Sequence, residues 1–161
     1  MIYDTSDIRR QDRILPESKA LEILRSGEYG VLSMCCAGKV SYGVPVNYAW
    51  DGKKSIHIHC ASAGRKLRCL DKNNSVSFCV VGRTKVVPDR FTTEYESIIL
   101  QCLASRNLDD EERMRALMLL VEKYSPGNRE KGGKYAEKYF HEAEIIRLDI
   151  EKWSGKSCAP L

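Results

Sequence analysis

The sequence predicts a mainly β fold: a compact antiparallel barrel of six strands in a Greek-key-like order, with small helices at its corners. Two observations carry this expectation. Short runs with apolar residues at alternate positions recur along the chain, separated by turn residues rather than by long helical stretches. The length, 161 residues, suits one compact domain spanning 1–161 and leaves little room for a second.

Taken in order, residues 1–15 are polar, lack an amphipathic period and read as an extended arm. Pro16 and Glu17 open a short helix with the apolar stripe Ala20, Leu21, Ile23 and Leu24, and Ser26-Gly27 ends it. Three strand-like runs follow at 29–36, 40–50 and 55–60. Ala37-Gly38-Lys39 and Asp51-Gly52 separate them, both suited to hairpins. Residues 64–70 look like a loop leading into one or two helical turns. A fourth strand at 75–81 alternates Val76, Phe78 and Val80, a polar loop holding Pro88 covers 82–92, and a longer fifth strand covers 93–103.

Asp109-Asp110-Glu111-Glu112 then sets carboxylates where a helix starts, complementing the positive end of its dipole. Met114, Leu117, Met118, Val121 and Tyr124 follow at helical spacing, a stripe expected to pack as core rather than to touch a cofactor. Ser125-Pro126-Gly127 breaks that helix, and a short aromatic helix is expected around 134–141, so that 109–141 forms a helical cover. The last strand, 143–150, carries Ile145, Ile146, Leu148 and Ile150.

Composition narrows the function classes. Hydrophobic residues make up 43% of the chain, ordinary for a folded globular protein. The net charge of +4, from 26 basic and 22 acidic residues, is too mild to mark a nucleic-acid binder, and Arg9, Arg10, Arg65 and Arg68 lack interleaved aromatics. The N-terminus has no apolar signal-peptide core and no stretch suits a membrane span, so a cytoplasmic protein is expected, with neither nucleic acid nor membrane as partner. Seven cysteines are odd in number, spread out and without a CxxC pair, which reads as reduced thiols. A domain this small buries only about two-thirds of its unfolded surface, which leaves room for a dimer.

The most informative stretch is His57-Ile58-His59-Cys60-Ala61-Ser62-Ala63-Gly64-Arg65-Lys66-Leu67. A strand ends, small residues let the backbone approach a ligand, and two cations arrive at the first turn of a helix. Amides, a hydroxyl and two cations together make a phosphate cradle; the alternative is a solvated basic turn. His57 and His59 share a strand face at a spacing seen among metal ligands. His141 is the sole other histidine, so a metal site is not expected, and His57 reads as a packed or surface residue.

Residues 28–104 resemble the pyridoxamine-phosphate-oxidase-like flavoproteins, in particular the nitroimidazole-resistance (Nim) group. The matching stretches are Gly27-Glu28-Tyr29-Gly30-Val31-Leu32-Ser33, Tyr42-Gly43-Val44-Pro45-Val46-Asn47-Tyr48, His59-Cys60-Ala61 and Gly64-Arg65-Lys66-Leu67. Asn74-Ser75-Val76-Ser77-Phe78 and Phe91-Thr92-Thr93-Glu94-Tyr95-Glu96-Ser97-Ile98-Ile99 continue the series, and Lys123-Tyr124-Ser125-Pro126 extends it. Each piece alone is weak; their order and spacing make the match specific.

The resemblance implies an FMN-binding split barrel, dimeric, with one flavin at each end of the subunit interface. Val44, Pro45, Val46, Asn47 and Tyr48 would flank the isoalloxazine ring through main-chain groups. His59 and Cys60 would sit beside the ring, Ala61 and Ser62 would begin the loop, and Arg65 and Lys66 would hold the phosphate. Tyr95, Glu96 and Ser97 would approach from the same or the other subunit. The cofactor would be FMN, or FAD with its adenylate tail extending past the phosphate site. The pyridoxal-forming members carry a basic C-terminal substrate clamp, which Glu151-Lys152-Trp153-Ser154-Gly155-Lys156 does not match.

The activity implied is a flavin-dependent reductase or oxidase passing electrons to a small acceptor such as a nitroaromatic, a 5-nitroimidazole for example. His59 would be the catalytic proton donor. The other readings are a flavin-binding protein without a dedicated substrate, and a haem-binding one with a histidine ligand.

Overall fold

In the computed structural model, which describes residues 1–158, the chain forms eight strands rather than six. These are β1 (Ile2–Tyr3), β2 (Gly30–Cys35), β3 (Ser41–Val46), β4 (Ala49–Trp50), β5 (Ser55–Ala61), β6 (Ser75–Val87), β7 (Thr92–Ser105) and β8 (Ala143–Cys158). Four helices accompany them: α1 (Glu17–Ser26), α2 (Arg65–Leu70), α3 (Asp110–Tyr124) and α4 (Arg129–Lys138). The sheet order is β3-β2-β6-β7-β8-β5-β4, antiparallel throughout, and β1 adds to β8 in parallel. β3 and β4 are the two edges of that order, yet only Asn47 and Tyr48 separate them in the chain. The sheet must therefore curl until its edges approach. Hydrogen-bonded pairing does not run from β3 to β4 among the described residues, so the barrel is split at that seam.

The period-two pattern builds the interior. Leu32, Phe78, Val80, Ile98, Leu100, Ile56, Ile58, Ile146 and Leu148 all point inward and are buried, and α1 adds Ala20, Ile23 and Leu24 to the same cluster. The turn expectations hold. Gly38 and Gly52 take positive φ angles of 74° and 77°, and Asp51 Oδ1 accepts from the amides of Lys53 and Ser55. Asp109 caps α3 by accepting from the Glu112 amide at 2.8 Å. At Gly30 an added methyl would run into the Phe78 ring and the Cys79 carbonyl. Gly30→Ala is therefore expected to cost about 1–3 kcal/mol, read as a lower urea midpoint at unchanged slope.

Several boundaries differ from the sequence reading, each for a local reason. The expected loop at 82–92 is mostly strand: β6 and β7 continue past a bulge at Gly82-Arg83 into a tight hairpin around Pro88–Arg90. β8 runs on from Ile150 to Cys158 because one extra residue, Glu151, bulges out and switches the inward face from Ile150 to Trp153. The single strand expected at 40–50 is broken at Asn47-Tyr48 into β3 and β4. The aromatic helix begins earlier, at Arg129, and the arm at 1–15 is pinned by β1 and by the Tyr3 hydroxyl, which donates to the Leu15 carbonyl. The cysteines are not all reduced: Cys36 and Cys69 are bonded to each other. Among the described residues, no helix is long and apolar enough to cross a membrane.

Candidate functional site

α3 lies across the outer face of β5, and the residues of β5 that point away from the barrel interior meet it. On one side of the helix is a cavity of about 570 Å³. Its barrel wall is Asn47, His59, Cys60 and Ala61, and its helical wall includes Leu117, Val121 and Tyr124 of α3 with Tyr135 and Tyr139 of α4. Three of the five residues in the stripe expected to be core, Leu117, Val121 and Tyr124, are therefore cavity wall. The face of α3 that is buried is Ala116 and Leu120. The reason is position: α3 packs outside the barrel, and its residues do not join the main core cluster.

His59 and Cys60 sit at the end of β5, where Lys66 reaches back from α2. The His59 pKa is lowered, first by partial enclosure of its ring and then by the nearby Lys66 ammonium. Cys60 is raised by burial, with the charge of Lys66 opposing the rise. Near neutral pH both side chains are therefore uncharged beside a cation. Arg65, at the first turn of α2, lays its guanidinium over the Tyr42 ring at 4.2 Å, which ties α2 to β3.

Among the described residues, neither Arg65 nor Lys66 has a carboxylate within 4.0 Å, as is true of half of the other arginines. Ala61, Ser62 and Ala63 are exposed, and Gly64, at φ 150°, has open space where a side chain would be. The small-residue loop starts at Ala61, which lines the apolar, aromatic-walled cavity, and leads to the two cations, which do not line it. Apolar and aromatic walls suit a planar ring, and nearby cations suit a phosphate.

The remaining expected contacts divide. Val44 and Val46 pack against the core while Pro45 between them faces outward, and Asn47 is exposed. Tyr48 has a fully buried side chain. Its hydroxyl donates to the Leu24 carbonyl at 2.7 Å, its ring meets Phe78 edge-on, and its amide donates to the Tyr124 hydroxyl at 3.0 Å. Its role is to fix the β3–β4 link. The Lys123-Tyr124 pair serves the same end. Tyr124 donates to the Glu28 carbonyl at 2.6 Å, and the Lys123 ammonium lies 3.6 Å from the Tyr48 ring centroid, its pKa lowered to about 8 by burial. Tyr95, Glu96 and Ser97 do not line the cavity. They pair with Cys158, Ser157 and Lys156, whereas His59 pairs with Ile145 at the other end of β8, a contour of roughly 40 Å away.

On the other side of α3 the sequence reading missed a polar floor. Ser55 pairs in register with Asp149 and His57 with Arg147. Ser55 donates to Asp149 at 2.7 Å, and Arg147 bridges Asp149 and Glu112 at 3.1 and 2.8 Å. His57, 6% exposed, lies 3.7 Å from Glu112, with its pKa lowered by burial. It is a packed residue, as expected. The signal available in the sequence was the i, i+2 spacing of Ser55/His57 and Arg147/Asp149, which puts each pair on one strand face.

Comparison with known proteins agrees with this architecture. A candidate 5-nitroimidazole antibiotic resistance protein from Bacteroides thetaiotaomicron superposes with a TM-score of 0.74 at 18% identity, covering 90% of this chain and 86% of that one. An FAD and heme binding protein from Mycobacterium smegmatis gives 0.74 at 16% identity, over 90% and 72% of the two chains. An FAD-binding protein from Mesorhizobium loti gives 0.66 at 19% identity, over 91% and 98%. At these identities the likeness shows the fold. No curated protein matches the sequence. The model of the pyridoxamine 5'-phosphate oxidase family matches residues 16–157. Since that segment runs from the start of α1 almost to the end of β8, the chain belongs to the pyridoxamine 5'-phosphate oxidase family.

Proposed function

We propose that this protein binds a flavin, FMN or FAD, and reduces a small acceptor with it. The observation that carries the reading is the unneutralised Lys66 beside His59 and Cys60, which line an apolar, aromatic-walled cavity, with Arg65 next to it in the first turn of α2. When bound, a flavin supplies the electron transfer that side chains cannot. The chain's own residues hold the phosphate through Arg65 and Lys66. Leu117, Val121 and Tyr124 exclude water from one side of the pocket, and His59 presents a proton at its rim. Two solved relatives in fold are described as FAD-binding, and a third as nitroimidazole resistance, which favours this reading.

The second clause of the proposal is a homodimer. Pro45, Val31, Cys79 and Ile99 lie side by side in register across β3, β2, β6 and β7 on the outer face, with Val81 half exposed beside them. This apolar row suits a second copy of the chain. A partner copy would also bring a Tyr95–Ser97 segment to a site that its own chain's segment does not reach.

Equilibrium dialysis is expected to show one flavin per chain at micromolar concentration, with a yellow product. Sedimentation is expected to give about twice the chain mass of 18.3 kDa. Absence of flavin uptake defeats the first clause, and a flavin-loaded monomer defeats the second. A steady-state reduction assay with varied electron donors separates a reductase from a flavin-storing protein.

A further inference from the structure

Of the seven cysteines, five are free, and the bonded pair, Cys36–Cys69, joins two elements that the candidate site depends on. Cys36 follows β2 and closes the turn into β3, its amide donating to the Val40 carbonyl at 2.8 Å. Cys69 lies on α2, one helical turn beyond Arg65, and is 3% exposed. The bond therefore staples the β2–β3 hairpin to the helix that carries the two cations. Arg65 over Tyr42 forms a second, non-covalent tie between the same elements.

The segment this bond encloses, 37–68, contains Val44–Tyr48, His59–Ser62, Arg65 and Lys66, which is every candidate flavin contact except Tyr95, Glu96 and Ser97. Closing a loop limits the conformations open to the residues inside it. The two sulfurs also differ in access. Cys69 is buried, whereas Cys36 is only partly covered, so an external thiol reaches the bond from the Cys36 side.

We propose that Cys36–Cys69 is a reversible redox-modification site, opened and closed by exchange with a small-molecule thiol, and that its state sets how tightly the Arg65/Lys66 loop holds a flavin phosphate. In opening, a thiolate attacks Cys36 Sγ, the bond to Cys69 breaks, and Cys69 leaves as a thiolate that takes up a proton. A second thiol then displaces the first from Cys36. Two small thiols become one external disulfide, and the protein gains two electrons and two protons. With the bond open, α2 keeps its packing through Leu67 and Leu70 but loses its covalent tie to the hairpin. Arg65 and Lys66 then have to be ordered at the moment of binding.

The proposal rests on the flavin reading, so its test has one arm with flavin and one without. Protein is equilibrated in buffers rich in oxidised or in reduced glutathione, and thiols are counted after denaturation. Five are expected in the first and seven in the second. Flavin mononucleotide is expected to bind about tenfold more weakly to the reduced form, the scale of ordering two long side chains on binding. Riboflavin, without the phosphate, should bind both forms alike. Cys36→Ala should match the reduced form in both buffers.

In the arm without flavin, amide hydrogen exchange of 65–70 should be faster in the reduced form. Seven thiols in the oxidising buffer overturn the proposal, as does equal flavin mononucleotide affinity in the two states. A Cys36→Ala protein that still responds to glutathione also overturns it, because another cysteine is then responsible. If neither form takes up any flavin, the flavin reading fails by itself, and exchange at 65–70 alone decides the redox site: unchanged rates reject it.

Discussion

Lys66→Ala and Arg65→Ala will each weaken flavin mononucleotide binding by about 1.5–3 kcal/mol, the scale of a charge-assisted hydrogen bond removed from a partly enclosed site. Both cations lack a carboxylate partner among the described residues, so alanine at either position removes attraction for a phosphate without freeing a buried acid. Riboflavin should bind the two variants almost as it binds the wild type. Equal losses for both ligands would place the damage in the fold instead, and Arg65 is where that control matters, because its guanidinium also packs on Tyr42.

The two variants should differ in a second way. Lys66 lowers the His59 pKa, so Lys66→Ala should raise it toward the ordinary value of about 6.5, visible as a shift in the imidazole proton resonances with pH. Arg65→Ala should leave that titration where it is.

The grouping of the strand end with the basic helical turn was legible because it is local in sequence. His59, Cys60, Ala61, Ser62, Arg65 and Lys66 fall within one strand end, one loop and one helical turn, so spacing alone sets them close together. The alternating cores of β2, β6 and β7 were legible for the same reason. What spacing could not show depends on strand bulges and on packing between distant segments. The bulges at Gly82-Arg83 and at Glu151 each shift the alternation by one residue. A strand that changes face in mid-course then reads as a strand that stops.

The stripe of α3 has the right period for a helix, but period does not say whether the helix faces the barrel interior or the outer side of β5. Cys36 and Cys69 are 33 residues apart and meet only because α2 folds back toward the β2–β3 turn. Residues 151–156, which do not match the basic clamp of the pyridoxal-forming members, are barrel structure: Trp153 is 2% exposed, and Gly155 packs tightly against Ala20 and Leu15.

The second large effect is expected at His59. Reducing a nitro group consumes protons as well as electrons. His59, with Cys60, is one of two titratable groups of β5 that line the cavity rim beside Lys66, the imidazole being the one that titrates nearer to neutral pH. His57, two residues earlier, lies under the other side of α3 against Glu112. His59→Ala should retain flavin but slow reduction of a nitroimidazole by roughly 10²-fold or more, the usual scale for losing a general acid. His57→Ala should leave turnover at matched flavin occupancy near the wild-type rate, whatever it does to stability.

The pH dependence follows from the direction of the His59 shift. A donor must be protonated, and enclosure and the Lys66 charge hold this imidazole below about 6.5, so the rate should fall as pH rises through that lowered value. In Lys66→Ala the falling limb should move to higher pH. Rates measured by stopped flow from chemically pre-reduced flavin isolate this step from flavin reduction. A His59→Ala protein as fast as wild type, with an unchanged pH profile, would reduce His59 to a packing residue and leave solvent as the proton source.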